Sequence, residues 1–379
     1  MEDALELMNQ VDTLRKKSEN HLSSSPSSAA ATSLSKQKEQ EKISFLKQTG
    51  LLKVARDEKE LERFIRISNE WKGLELQIYD NKDDQVTKKK NGSLLQSLPL
   101  ASQGAGLMYC PHGYAVNSPY YLSCLASACE ILAEKEASKA SFNVITGVVD
   151  SIQSLEDEET YSGIILCAGA AVDTIKEVRN KFPLRLSETY TIQMDKEDKL
   201  EKADGSDGYS LLGKAYVVKP ERDKAVVGAV HSDTKPTAED ALGCKHHHMS
   251  DENAASSEFR GESEGMEDMA ELVLERGRSI YPRLLDDYCV NSVHAGVRGL
   301  PPKTGNSGRL PIMGRVEWAE DEIGSSLASP CWMFLGLGAR GLLYHAYGAK
   351  KLTQAIASDD ESLLPAELLR WKGSYLKQF

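Results

Sequence analysis

The sequence has no apolar run long enough to cross a bilayer. Its longest, residues 163–171, is strand-sized, whereas a spanning helix needs roughly 18–20 residues, so no membrane partner is expected. It also lacks a basic excess: 46 Lys and Arg stand against 57 Asp and Glu, a net charge of −11. Broad nucleic-acid binding, which needs a positive field to neutralise phosphates, is therefore not expected. The one dense basic cluster, residues 88–90, reads as a solvated loop. The opening is acidic, with Glu2, Asp3 and Glu6, unlike a secretory leader or an organelle transit peptide. The seven cysteines are odd in number, scattered and without a C-x-x-C pair, so they read as free thiols in a reducing compartment rather than as a disulfide frame. No Ser-His-Asp or Cys-His spacing suggests nucleophilic catalysis. These absences describe a soluble intracellular chain, cytoplasmic or organellar, with plastid residence open to a longer form.

What is present is enough for large cores: 379 residues, 40% hydrophobic and 27% charged, or two to three domains of material. Ala4, Leu7, Val11 and Leu14 have helical spacing. Residues 23–35 are almost all Ser, Ala, Thr and Pro and read as a flexible linker. Residues 44–55 read as strand, and Asp57 opens a helix with Leu61, Phe64 and Ile65 on one face. Residues 80–93 read as loop. Ser118 as N-cap and Pro119 at the first helical position predict a helix over 119–137. The stretches FNVITGVVDSIQSL and YSGIILCAGAA read as strands separated by an acidic turn at 156–159, the second leading into a helix. Period-two patterns mark ETYTIQMD and a hairpin, AYVVKPERDKAVVGAVHSD, with its turn near 221–223. Residues 243–265 read as loop and 266–285 as helix. NSVHAGVRG, RLPIMGRVEW and SPCWMFLGL read as strands, and 340–357 as a long helix. Interleaved βα units with an antiparallel group predict α/β plus α+β architecture, in which two domains are intertwined.

Three segments could carry chemistry. Gly336-Leu337-Gly338-Ala339-Arg340-Gly341 follows a strand and opens a helix, as in a dinucleotide fingerprint. No second parallel strand follows, which argues against a nicotinamide-dependent Rossmann unit. Leu166-Cys167-Ala168-Gly169-Ala170 ends an apolar strand in small residues, and Gly296-Val297-Arg298 places an arginine near a strand end, a planar fork suited to a carboxylate. His246-His247-His248 lies in a polar stretch, but consecutive histidines cannot easily face one ion, and no metal is expected. Tyr344 and His345 read as packing groups. His112 and Tyr114, which flank a glycine, receive no role.

In their shared order these segments resemble the D-amino-acid-oxidase-like family of FAD-dependent oxidoreductases, over about residues 43–358. Supporting matches are Pro311-Ile312-Met313-Gly314, the KQTGLLKVA and LMYCPHGYAVNSPYYLSCLASAC stretches, and the hairpin holding Tyr216 and Pro220, where Lys219 adds one residue. The resemblance implies FAD as cofactor and oxidation of a C–N bond in a small amine or amino acid, with no side chain serving as a dedicated base. It assigns Arg298 and Tyr216 to the substrate carboxylate. Gly338, Ala339, Arg340, Gly341 and Leu342 would meet the flavin, and Val149, Ala168, Gly169 and Ala170 the adenine and ribose end.

Two departures accompany it. Gly299-Leu300 intervene between the arginine and Pro301-Pro302, which shifts the spacing at the substrate side. The family's opening strand, G-x-G-x-x-G turn and helix have no counterpart before Ala168, so the expected fold is an incomplete three-layer FAD-binding domain intertwined with an antiparallel-sheet substrate domain. The expected divisions are a helix and Ser-rich segment (1–42), a first part of the substrate domain (43–110), FAD-binding (111–183), antiparallel sheet (184–300), FAD-binding again (301–358) and a tail (359–379). The alternative reading is a non-catalytic, N-terminally truncated family member that holds no flavin. The oligomeric state is left open.

Overall fold

The computed structural model describes residues 6–14, 45–80, 105–135, 141–158, 161–196, 209–221, 223–232, 235–242, 245–248, 260–303, 308–318 and 329–373. The serine-rich stretch and most of the 80–93 loop lie outside them. The first helix, α1, covers residues 6–14. Of the expected apolar positions, Val11 is buried and Leu7 and Leu14 partly so, packing with Met8 against Phe45, Tyr121, Cys124 and Ala128; Ala4 lies outside the described residues.

The largest sheet has nine strands. Its order is β11-β12-β7-β10-β9-β8-β2-β4-β3: β2 is Leu51–Ala55, β3 Gln77–Asp80, β4 Gly106–Cys110, β7 Arg185–Lys196, β8 Ser210–Leu212, β9 Tyr216–Val218, β10 Lys224–His231, β11 Lys245–His248 and β12 Tyr288–Leu300. All pairings are antiparallel except β2 with β8. Alternation places Ile192, Met194, Val217, Ala225, Val227 and Val293 on one face, where they are buried with Val273 and Ala270 of helix α5 (Arg260–Ile280). A short helix, α6 (Leu284–Asp287), follows α5. Near the other end of the sheet, α2 (Glu58–Glu70) starts as expected at Asp57, whose Oδ1 accepts the Glu60 N–H at 2.8 Å.

A small two-stranded ladder pairs β1 (Leu46–Gln48) with β5 (Tyr114–Val116), and helix α3 (Ser118–Lys135) follows. Its cap is Asn117 rather than Ser118: Asn117 Oδ1 accepts the Tyr120 N–H at 3.2 Å, and the Asn117 carbonyl accepts Tyr121 N–H at 2.9 Å. Ser118 is already inside the helix.

The second main sheet has the order β13-β14-β6 (Ile312–Arg315, Cys331–Leu335, Ile164–Leu166), with β14 antiparallel to β13 and parallel to β6. The continuous run CWMFL of β14 is buried throughout because both its faces are covered. Cys331, Met333 and Leu335 meet Val172, Val178 and Phe182, while Trp332 and Phe334 meet helix α7 (Gly341–Ala357) and Leu364. Residues 358–373 contain no strand.

Four further expectations are corrected. The stretch FNVITGVVDSIQSL is not a strand: residues 141–150 have no regular structure, and Ile152–Glu158 form a helix, α4, that absorbs most of the supposed acidic turn. The carboxylate of Glu177 fixes the start of α4, accepting from Ser151 Oγ at 2.6 Å and Ile152 N–H at 2.8 Å. After β6 the chain enters a 3-10 turn (Gly169–Thr174), not an α-helix. The 243–265 region includes strand β11, with His246 opposite His294. Finally, α5 starts at Arg260, earlier than its apolar spacing indicated.

Candidate active site

Strand pairing determines which side chains share a face. Arg298 on β12 stands opposite Ser187 on β7, and Gly296 opposite Thr189. Gly228 on β10 stands opposite both Thr191 on β7 and Tyr216 on β9. Directly paired residues point to the same side, so Arg298, Ser187, Thr189, Thr191 and Tyr216 line the face opposite α5. The structure thus brings together the two residues predicted to hold a carboxylate. Burial pushes the Tyr216 phenol upward, and the Arg298 guanidinium, through its charge and a hydrogen bond, offsets part of that rise. Gly228 makes room for the phenol: a Cβ there would lie 2.8 Å from Tyr216 Oη and 2.7 Å from Thr191 Cγ2.

The carboxyl end of β12 connects this face to the second sheet. A Cβ on Gly299 would lie 3.4 Å from Ala170 Cα and 3.5 Å from the Gly169 carbonyl oxygen. One on Gly338 would lie 3.4 Å from Leu300 Cδ2, and one on Gly336 3.1 Å from Pro301 Cδ. Residues 299–301 therefore sit between the turn after β6 and the turn after β14. Both turns leave the carboxyl ends of parallel strands, where open α/β sheets take ligands. Gly336 and Gly338 have φ of +71° and +53°, which glycine adopts without the Cβ penalty.

The predicted cofactor residues form an open rim. Ala168, Ala339, Arg340 and Leu342 are exposed, and Gly169, Gly338 and Gly341 half-exposed. Ala170 is buried. No side chain caps α7 or the 3-10 turn before it (Gly338–Arg340), so the first-turn amides have no side-chain partner among the described residues. This is the donor-rich, positive end of a helix. Val149 stands apart. Asp150 accepts the Lys176 N–H at 2.8 Å, which fastens this stretch beside the 176–178 turn. None of the described hydrogen bonds joins Val149 to 168–170.

Sequence reasoning missed His231. Its Nδ1 lies 3.3 Å from Ser187 Oγ, on the face of Arg298. From Val227, which faces the core, strict alternation would assign residue 231 to the core. The pairing register shifts between Gly228 and Val230. This bulge turns Val230 inward, where it is fully buried, and His231 outward. Tyr344 and His345 lie on α7; His345 Nε2 is 2.9 Å from Tyr121 Oη, and its Nδ1 is 3.1 Å from the Gly341 carbonyl oxygen.

Comparison with known proteins adds the following. The family model described as "FAD dependent oxidoreductase" (DAO) matches residues 18–355. Among solved structures, glycine oxidase from Geobacillus kaustophilus is 17% identical with a TM-score of 0.55, covering 86% of this chain and 76% of its own. L-Proline dehydrogenase from P. horikoshii is 13% identical with a TM-score of 0.56, covering 88% and 78%. Iminodiacetate oxidase from Chelativorans sp. is 18% identical with a TM-score of 0.52, covering 85% and 75%. At these identities the structures establish a shared fold. No curated protein matches the sequence.

Proposed function

Because the chain belongs to the DAO family of FAD-dependent oxidoreductases, we propose that it oxidises the C–N bond of a small amine or amino acid bearing a carboxylate. The observation carrying this reading is the meeting of Arg298 and Tyr216 on one sheet face, one strand end away from the glycine turns at 169 and 336–338.

The residues at those turns suit the flavin end of the cofactor. The uncapped amides at the start of α7 would donate to the electron-rich edge of the ring, and the helix end would favour negative charge there. Gly338, Ala339, Arg340, Gly341 and Leu342 would hold that edge. Ala168, Gly169 and Ala170 would line the nucleotide end, with Val149 flanking it. Bound flavin supplies a two-electron acceptor, leaving an oxidised C–N bond open to water. Arg298 would grip the substrate carboxylate with two parallel hydrogen bonds. Tyr216 would donate a third and fix the orientation of the carbon beside the amine. No side chain is assigned as a base.

The alternative of a chain that holds no flavin leads to a different outcome in one experiment. The protein, purified with added FAD and desalted, should retain a stoichiometric flavin absorption spectrum, and an amino-acid substrate should bleach it anaerobically. A colourless protein would overturn the proposal. Arg298→Ala should then raise KM on the order of 10–100-fold, the worth of hydrogen bonds to a charged group, while leaving flavin retention unchanged. Equal loss of both would remove Arg298 from the substrate site.

A further inference from the structure

The polar face around Arg298 holds more hydrogen-bonding groups than one carboxylate requires. His231 is the added element, and three observations place it in the site. Its Nδ1 is held 3.3 Å from Ser187 Oγ. Ser187 is the direct cross-strand partner of Arg298. His231 itself pairs with Thr189, whose hydroxyl donates to the Gly296 carbonyl at 3.0 Å. Arg298, Ser187 and His231 thus form a contiguous row across β12, β7 and β10.

Among the described residues, the charges that shift the imidazole are both positive. Partial desolvation holds His231 below its ordinary value, and the charges of Arg298 and then Arg276 push in the same direction. Glu188, the nearest acidic residue on β7, turns to the opposite face, where its carboxylate is hydrogen-bonded to the Tyr190 phenol. These influences favour the neutral imidazole in the free protein, and its Nδ1 is held by Ser187. Its Nε2 has no hydrogen-bond partner among the described residues. An incoming second anion would reverse that balance, because a carboxylate beside a histidine favours the imidazolium.

We propose that His231, held by Ser187 beside Arg298, is a second anion-recognising residue of this site, so that the substrate is an amine or amino acid carrying two carboxylates. One carboxylate occupies the Arg298 fork, and the other accepts a hydrogen bond from His231 Nε2. The inference rests on the carboxylate reading of Arg298 given above. It goes beyond that reading in naming the substrate class and in requiring that binding take up a proton.

The test needs no turnover. The full chain, supplied with FAD and carrying labelled histidine and arginine side chains, is titrated with succinate and separately with propionate while imidazole and Arg298 Nε signals are followed by NMR. His231→Gln identifies the His231 resonance. Succinate should shift both His231 and Arg298, raise the His231 midpoint, and bind about tenfold or more tightly than propionate, the worth of one charge-assisted hydrogen bond. The preference should grow as pH falls towards the histidine range, and His231→Gln should abolish it. Equal binding of the two probes, or a shift at Arg298 with His231 unmoved, would overturn the role of His231 and leave the carboxylate site standing. No shift at either residue would overturn both.

Discussion

The two main sheets solve the burial problem differently. The nine-stranded sheet buries one face against α5 and keeps the other polar around Arg298, Tyr216 and Ser187. Its strands accordingly alternate in sequence. The three-stranded sheet is covered on both faces at its central strand, β14, but not at β6, one of its two edge strands among the described residues. There Leu166 is buried while Ile165 is 52% exposed. In the irregular stretch 141–150, Val144, Ile145 and Val148 are 71%, 92% and 68% exposed. Stability is therefore concentrated under the large sheet. The turn at Gly169, proposed above to meet the cofactor, leaves this less covered strand, consistent with binding sites drawing on less constrained regions.

The largest expected effect sharpens this contrast at its stable pole. Ile192 is fully buried at the centre of the large sheet's core. Ile192→Ala should cost about 2–5 kcal/mol in urea unfolding, the range for a large-to-small change in a packed core. A cost below about 1 kcal/mol would mean that this core is loosely packed and the comparison misdrawn.

Next comes a substitution that tests the covered part of the smaller sheet. Gly348 on α7 lies directly over Phe334 of β14, and a Cβ there would fall 2.2 Å from the ring. Gly277 on α5 is also close to its sheet, but its Cβ would meet the Val227 and Leu284 methyls at 2.7 and 2.9 Å. Gly348→Ala should destabilise by about 1–3 kcal/mol, the usual range for overpacking, and by more than Gly277→Ala, since an aromatic ring fixed in a strand has less freedom to yield. The reverse order would show that α7 is the more mobile helix.

The third effect concerns the junction next to β6. Burial raises the Glu177 carboxyl, but hydrogen bonds from Ser151 and from the Ile152 and Gln153 amides outweigh it and hold the group below its ordinary value of 4.5. A carboxylate depressed in the folded state adds stability above its unfolded pKa, and that contribution is lost as pH falls through the folded value. The loss should therefore occur below about pH 4.5. Glu177→Gln should cost about 0.5–2 kcal/mol at neutral pH, comparable to a helix cap, and should flatten the acid limb of the stability curve. An unchanged acid limb would leave the start of α4 dependent on packing alone.

How much of this was legible in the sequence follows the same division. Strands β7, β10 and β12 were readable because one face is buried and period-two alternation results. β14 was readable as a continuous run because both faces are buried. The stretch around Val144–Val149 failed for a physical reason. Its β-branched residues favour a pleated, half-buried surface, but strand propensity is realised only beside a strand to pair with, and among the described residues no strand pairs with this stretch. β11 was missed because three histidines give no alternation. Of the site, Arg298 and Tyr216 were found through a family resemblance. His231 was hidden by the bulge at Ala229, which inverts the face that alternation assigns. Nothing in local composition marks such a shift; it follows from how β10 pairs with β7.

The smallest expected effect tests the exposed pole of the comparison. Ile165 lies in β6, paired with Trp332 of β14, yet half of its side chain faces solvent. Ile165→Thr keeps the β-branched shape that suits a strand and exchanges one apolar contact for a hydroxyl that water can satisfy. If the edge of β6 is as open in solution as it is here, unfolding should change by no more than about 0.5 kcal/mol, as for an ordinary surface position. A cost approaching that of Ile192→Ala would mean that Ile165 is covered in solution by a surface other than the described residues. Repeating the measurement over a range of protein concentrations would distinguish the sources, since cover supplied by a second copy weakens on dilution and cover from within the same chain does not.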